Sequence, residues 1–295
     1  MARALPPEPL VLPTPEKENS WKSVLFVGML FYVLGIAVLS ITRNIKLFPS
    51  VIMVGSFLVP ITYVVYIYER RLLTQLALPA IALSFFYGGM LGAYAASLLE
   101  PLFIRRLTFG SAFEVGLIEE AAKIIGVLVI ALHRRHTSEM NGLILGAAAG
   151  MGFASVESTG YAFQAFMNSH GSLSQTVGIT FFRALVAPFG HGTWTAILAA
   201  VLFRESAPRR FRLDLPVVGA YLLVAGLHGL WDGLPGTLMA LAVPAFGVLS
   251  VQIMVGLTGV FILLRFWHQA RNRQITQPVL VPADDPPGTN GVEDI

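Results

Sequence analysis

The sequence predicts an all-α polytopic membrane protein, a bundle of about eight transmembrane helices. Three observations carry that class. The 295 residues are 55% hydrophobic with a mean hydropathy of +0.69. Only 13% are charged, about half the share of an ordinary soluble domain. The apolar residues also gather into runs of about 20, the length that crosses about 30 Å of hydrocarbon.

The runs lie near 21–41, 50–68, 77–98, 112–132, 142–167, 174–203, 215–234 and 242–266. The first follows residues rich in Pro and Glu that lack the basic start and small-residue cleavage site of a secretory signal. It is therefore expected to stay as an uncleaved anchor, with 1–20 a cytoplasmic disordered tail. The second and third read only as hydrophobic spans. The fourth carries GLIEEAAKII, with Glu119, Glu120 and Lys123 inside the apolar run; each charge near a bilayer centre costs roughly 2.5–3.5 kcal/mol, so these residues need partners. The fifth begins with the small-residue surface GAAAGMGF, which suits close helix packing, and continues into GFASVES with Phe153 and Glu157. The sixth holds Arg183, Pro188 and His191, and Pro188 makes it either one kinked span or a broken one. The seventh contains LHGLWDG, placing His228 and Asp232 one turn apart. The eighth ends the transmembrane domain (21–267, motif core 112–234), and 268–295 reads as a disordered acidic cytoplasmic tail.

With the amino terminus in the cytoplasm, 14 of the 20 Lys and Arg fall on that side and four (Arg43, Lys46, Arg105, Arg106) on the other, leaving Lys123 and Arg183 within spans. That bias places both termini on the cytoplasmic side of the cell (plasma) membrane. The absence of cysteine excludes disulfides, thiolate ligands and a cysteine nucleophile. Basic residues sit beside spans without interleaved aromatics, which excludes a nucleic-acid surface. There is no phosphate loop, internal repeat or soluble domain between spans, so function must lie among the helices.

Within the fourth helix, Lys123 is four residues from Glu119 and three from Glu120, so it reaches either carboxylate. At 1.5 Å per residue, Glu119 to Lys123 lie about 10–17 Å from the outer face, Glu157 about 15 Å, and His228 and Asp232 within about 10 Å. His191 lies about 25 Å in if its helix starts at 174 and about 16 Å if the membrane portion starts near 180. Alone, a Glu–Lys pair or a buried His is ordinarily a neutralisation or packing device; Phe153, Trp194 and Trp231 read as packing, Glu114 as interfacial, and Arg183 as a partner for a carboxylate. Four polar groups at similar depth on four consecutive helices instead imply one hydrated cavity in the outer half of the bilayer. Glu119, Glu120, Glu157 and Asp232 outweigh Lys123 and Arg183 by two charges, so either a carboxylate holds a proton or a divalent cation is present. A set of carboxylates and imidazoles suits zinc.

The ordered series EEAAK at 119–123, FASVE at 153–157, Arg183 followed by His191, and HGLWD at 228–232 resembles the PrsW family of polytopic intramembrane proteases. That family is related to the CAAX prenyl endoproteases and the bacteriocin-processing and immunity group. The resemblance covers roughly 112–234. It implies proteolysis of a membrane-associated protein, as in first-site cleavage of an anti-sigma factor. By motif, Glu119 and Glu120 would be the catalytic pair, and His191 and His228 would hold or polarise water, stabilise the oxyanion or bind metal. Lys123, Glu157, Arg183 and Asp232 would support them; a metal would draw on His191, His228, Glu157 and Asp232. Ser158 and Asp232 stand where many relatives carry Asn. Glutamate-activated water with no required cofactor is preferred over zinc, because the adjacent Glu pair is the least replaceable feature and HExxH is absent. The rival classes are a proton-coupled transporter, which would show repeats or paired broken helices, and an inactive relative that binds another membrane protein.

Overall fold

The computed structural model describes residues 19–70, 76–133, 138–206 and 211–276. Among these, nine α-helices and two 3₁₀ turns account for the architecture and no strand occurs: α1 (Ser20–Thr42), α2 (Phe48–Arg70), α3 (Leu78–Phe103), α4 (Phe109–His133), α5 (Glu139–Asn168), α6 (Leu173–Val186), α7 (His191–Glu205), α8 (Leu215–Ala240) and α9 (Ala245–Thr276). Local signals start several of them. The Ser138 side chain accepts from the Asn141 amide to cap α5, Ser172 does the same for α6, and Asp214 caps α8 just before a proline in its first turn.

α5 and α7 form the centre. Every residue of α5 from Glu139 through Ser155 is buried, as is α7 from Gly192 through Phe203. A helix apolar on all sides belongs inside a bundle, and the small residues of GAAAGMGF let its neighbours approach. A side chain at Gly150 would collide with the His191 carbonyl oxygen of α7, and one at Gly152 with the Phe85 carbonyl of α3. α1 and α9 lie at the periphery with large apolar side chains outward, among them Phe26 (71% exposed) and Phe246 (74%). Such a surface fits lipid rather than water.

Among the described residues, six helical units are long and apolar enough to cross a membrane: Ser20–Thr42, Ile45–Arg70, Leu78–Phe103, Leu173–Glu205, Leu215–Ala240 and Ala245–Arg273. The chain is thus a multi-pass membrane protein. The expected count of eight is not reached on length and composition, because α4 and α5 fall outside that set. α4 carries Glu114, Glu119, Glu120 and Lys123 within its 25 residues.

The sixth expected span is broken rather than kinked. α6 ends at Val186, a 3₁₀ turn holds Ala187–Phe189, and α7 starts at His191. Pro188 lies in the turn, where its carbonyl accepts from the Thr193 hydroxyl at 2.8 Å. At the carboxyl end, helix continues through 268–276, residues expected in the acidic tail, and Arg273 pairs with Glu139 at 3.1 Å. The rest of that tail and the expected amino-terminal tail through 18 lie outside the described residues.

Candidate active site

Helical spacing on four elements brings the predicted residues together. On α4, Lys123 Nζ donates to Glu119 Oε2 at 2.9 Å and to Glu120 Oε1 at 2.8 Å, and all three residues are buried. The same nitrogen donates to Nδ1 of His191 at 2.8 Å and lies 4.0 Å from the centroid of the Phe153 ring. Lys123 is therefore the hub of the cluster. Its burial is tolerable because two carboxylates, an imidazole lone pair and a π face replace water. Phe153, expected as packing, forms part of that replacement.

The lysine also assigns the His191 tautomer. An ammonium has no lone pair, so Nδ1 must accept and the ring proton sits on Nε2. Nε2 faces Glu157 Oε2 at 2.9 Å. Glu157 in turn receives Arg183 Nη2 at 2.5 Å, while Arg183 Nε donates to the Ser158 hydroxyl at 3.0 Å. Ser158 thus takes up one of the guanidinium hydrogen bonds.

His228 faces carboxylates on both sides. Nδ1 is 3.1 Å from Glu120 Oε1, and Nε2 is 3.2 Å from Asp232 Oδ2 and 3.5 Å from Glu119 Oε2. The ring thus lies between three carboxylates, Glu120 on one side and Asp232 and Glu119 on the other. Trp194, fully buried, stacks on His228 with centroids 4.8 Å apart and meets His191 edge-on at 5.4 Å. One indole therefore sets the planes of both imidazoles. Trp231 meets Trp194 edge-on with ring centroids 6.1 Å apart, and Glu114 is exposed.

The two adjacent glutamates differ. Glu120 is fully engaged: Oε1 meets Lys123 and His228, and Oε2 accepts from the Thr195 hydroxyl at 2.9 Å. Glu119 lines a cavity of about 650 Å³ together with Glu100, Glu157 and Asp232. Glu120, His191 and His228 stand behind that lining. The hundred-degree step between neighbouring helix residues turns one carboxylate to the cavity and the other into the protein.

Sequence reasoning missed Thr195 and Glu100. Thr195 lies four residues after His191, on the same face of α7, and nothing in that offset points to Glu120. Glu100 lies just past the expected end of the third span at 98, but α3 continues to Phe103 and carries it into the cavity wall.

Glu119, His191 and His228 each offer one donor atom, and these atoms lie within 4.8 Å of one another. Two imidazoles and a carboxylate are a donor set that zinc accepts, so the residues fit a metal in kind. Glu157 and Asp232, expected among the possible ligands, each lie against one of these histidines, Glu157 at 2.9 Å from His191 Nε2 and Asp232 at 3.2 Å from His228 Nε2. Any bound cation would share the cluster with the Lys123 ammonium, which already contacts Glu119 and His191.

A family model described as PrsW family intramembrane metalloprotease matches residues 76–264. No match was found among curated proteins or among solved structures. The matched span covers well over half of the chain and contains every group of the cluster, from Glu100 on α3 to Asp232 on α8. The chain belongs to the PrsW family of intramembrane metalloproteases.

Proposed function

We propose that this intramembrane protease hydrolyses a peptide bond of a membrane-anchored protein, in the manner of first-site cleavage of an anti-sigma factor, with Glu119 as the base that activates water. The observation that carries this reading is the division between the glutamates: Glu119 faces the cavity while Lys123, His228 and Thr195 fix Glu120. Water bound at Glu119 gives up a proton to the carboxylate as its oxygen adds to the scissile carbonyl. The same carboxyl then returns the proton to the leaving amine nitrogen. Lys123 holds Glu119 at 2.9 Å and balances its charge. His191 and His228 act through their carboxylate partners as positioning groups, with Trp194 behind them.

The topology proposed for this chemistry has eight spans, with α4 and α5 crossing inside the bundle and α6 to α7 as one interrupted span. Both termini lie in the cytoplasm and the membrane is the plasma membrane, as the bias of basic residues supports. α4 and α5 can cross despite their polar residues because neighbouring helices, rather than lipid, surround those residues. The cavity then opens in the outer half of the bilayer, since it lies at the carboxyl ends of α3 and α5. A proton-coupled transporter is disfavoured by the family, and only one broken span is found among the described residues.

The convergence of Glu119, His191 and His228 favours a second reading, in which these three hold zinc. Bound there, the ion would supply Lewis-acid polarisation of water or the carbonyl. The test uses purified protein and a single-span substrate. Cleavage near the outer boundary that Glu119→Gln abolishes, with the protein still folded, is the expected result. Full activity in a folded Glu119→Gln, Glu120→Gln double variant overturns the glutamate mechanism. Activity lost to a chelator and restored by zinc selects the metal-assisted reading.

A further inference from the structure

The cavity is walled by two helix faces. On α5 the lining runs through Glu157, Gly160 and Gln164, and on α3 through Ala93, Ser97 and Glu100; both sets follow the three-and-four spacing of one helical stripe. Below this level the same helices are locked together. Ser84 donates to the Leu145 carbonyl at 2.8 Å, and a Cβ on Gly89 would come within 2.8 Å of the Gly152 carbonyl oxygen. Beyond Gly92 and Phe153 they part, the cavity of about 650 Å³ occupies the space, and Glu119 stands at its inner wall.

Gly160 differs from the packed glycines of these helices. A Cβ built on it meets nothing within 4 Å. A glycine inside a helix weakens that helix relative to alanine, and here no neighbouring helix requires the room. The space belongs to the cavity, one turn along α5 from Glu157, flanked by Tyr161 and with Tyr94 and Leu107 among the other lining residues.

We propose that the groove between α3 and α5 receives the substrate as an extended segment and that Gly160 is its specificity-determining position, leaving room for a large apolar or aromatic side chain beside the scissile bond. This rests on the proteolytic reading. The aromatic and aliphatic flanks suit such a side chain, and the volume is in the range of pockets that enclose a ligand.

The test measures kcat/KM on single-span substrates carrying Ala, Leu or Phe next to the scissile bond, with the parent, Gly160→Ala and Gly160→Leu. The parent is expected to prefer Leu and Phe. Gly160→Leu should lose about ten-fold or more on the Phe substrate, mainly through KM, and stay within about two-fold on the Ala substrate, the scale at which one or two methylenes discriminate in a pocket. Gly178→Leu, on α6 at another exposed glycine whose Cβ meets nothing within 4 Å, should leave all three substrates unchanged. Equal losses on every substrate, or no change, in variants that keep the parent melting temperature overturn the proposal. Because the chain has no cysteine, Gly160→Cys supplies a single thiol for a second readout. A water-soluble maleimide should label it, and an uncleavable Phe substrate should slow that labelling; labelling unaffected by substrate overturns the proposal. A parent that cleaves none of the substrates overturns the proteolytic reading and this inference with it, whereas a cleaving parent with indistinguishable Gly160 variants overturns the inference alone.

Discussion

The two halves of α5 do opposite work. From Glu139 to Ser155 it is buried on all sides and meets α3 and α7 through small residues, with backbone against backbone at Gly150 and Gly152. From Val156 to Gln164 one face is turned to the cavity and carries Glu157, which holds His191 and Arg183. The dry half tolerates no added volume and the polar half is built around open space. The contrast teaches how a membrane protein keeps a charged cluster in register: rigid packing in one segment fixes the rotation of the helix, and that rotation aims the polar residues in the next.

The comparison can be broken at several points, beginning with the chemistry of the polar half. Glu119→Gln should lower the cleavage rate by about 10²–10⁴-fold, the usual worth of a general acid or base, with the melting temperature retained. Lys123→Met should act chiefly on stability. It leaves Glu119 and Glu120 buried without their common cation, and loss of one partner of a buried pair costs roughly 3–5 kcal/mol; a thermal melt in detergent that matched the parent would deny Lys123 its place as hub. In the dry half, Gly152→Ala pushes a methyl against the Phe85 carbonyl and should cost about 1–3 kcal/mol, while Gly160→Ala in the polar half should leave stability equal to or above the parent. Equal effects of these two substitutions would erase the distinction between the halves. Thr195→Val removes the hydroxyl that fixes Glu120 Oε2 and should cost about 1–3 kcal/mol, the worth of a hydrogen bond to a buried charge. The smallest effect is expected at the end of the dry half. Arg273→Ala loses an ion pair whose cation is 49% exposed, and screening should hold the change in stability to about 1 kcal/mol or less.

Much of the candidate site is legible in the sequence. EEAAK stood out because lipid excludes it, and the offsets between Glu119 and Lys123 and between His228 and Asp232 need only helical geometry to place each pair on one face. The broken sixth span is half legible: Pro188 signals an interruption, but the sequence leaves open where the helix that bears His191 starts, and with it whether that residue lies about 25 Å or about 16 Å deep. In the structure a new helix begins at His191 itself, and the ring reaches Lys123. Thr195 and Glu100 went unread for different reasons. A threonine in an apolar helix normally bonds its own backbone, so nothing local announces a partner 75 residues away in sequence. Glu100 lay beyond an expected boundary, where a carboxylate reads as interfacial.

The sequence by itself determined the membrane class, the all-helical character and the polar residues that need partners, because hydrophobic run length and the 3.6-residue period are local properties. Only the tertiary structure decided which of two adjacent glutamates meets the cavity, which histidine accepts from Lys123 and which bridges two carboxylates, and why Gly160 is open while Gly152 is closed. Those outcomes depend on the rotation of each helix about its axis, which side chains contributed by distant parts of the chain set through packing.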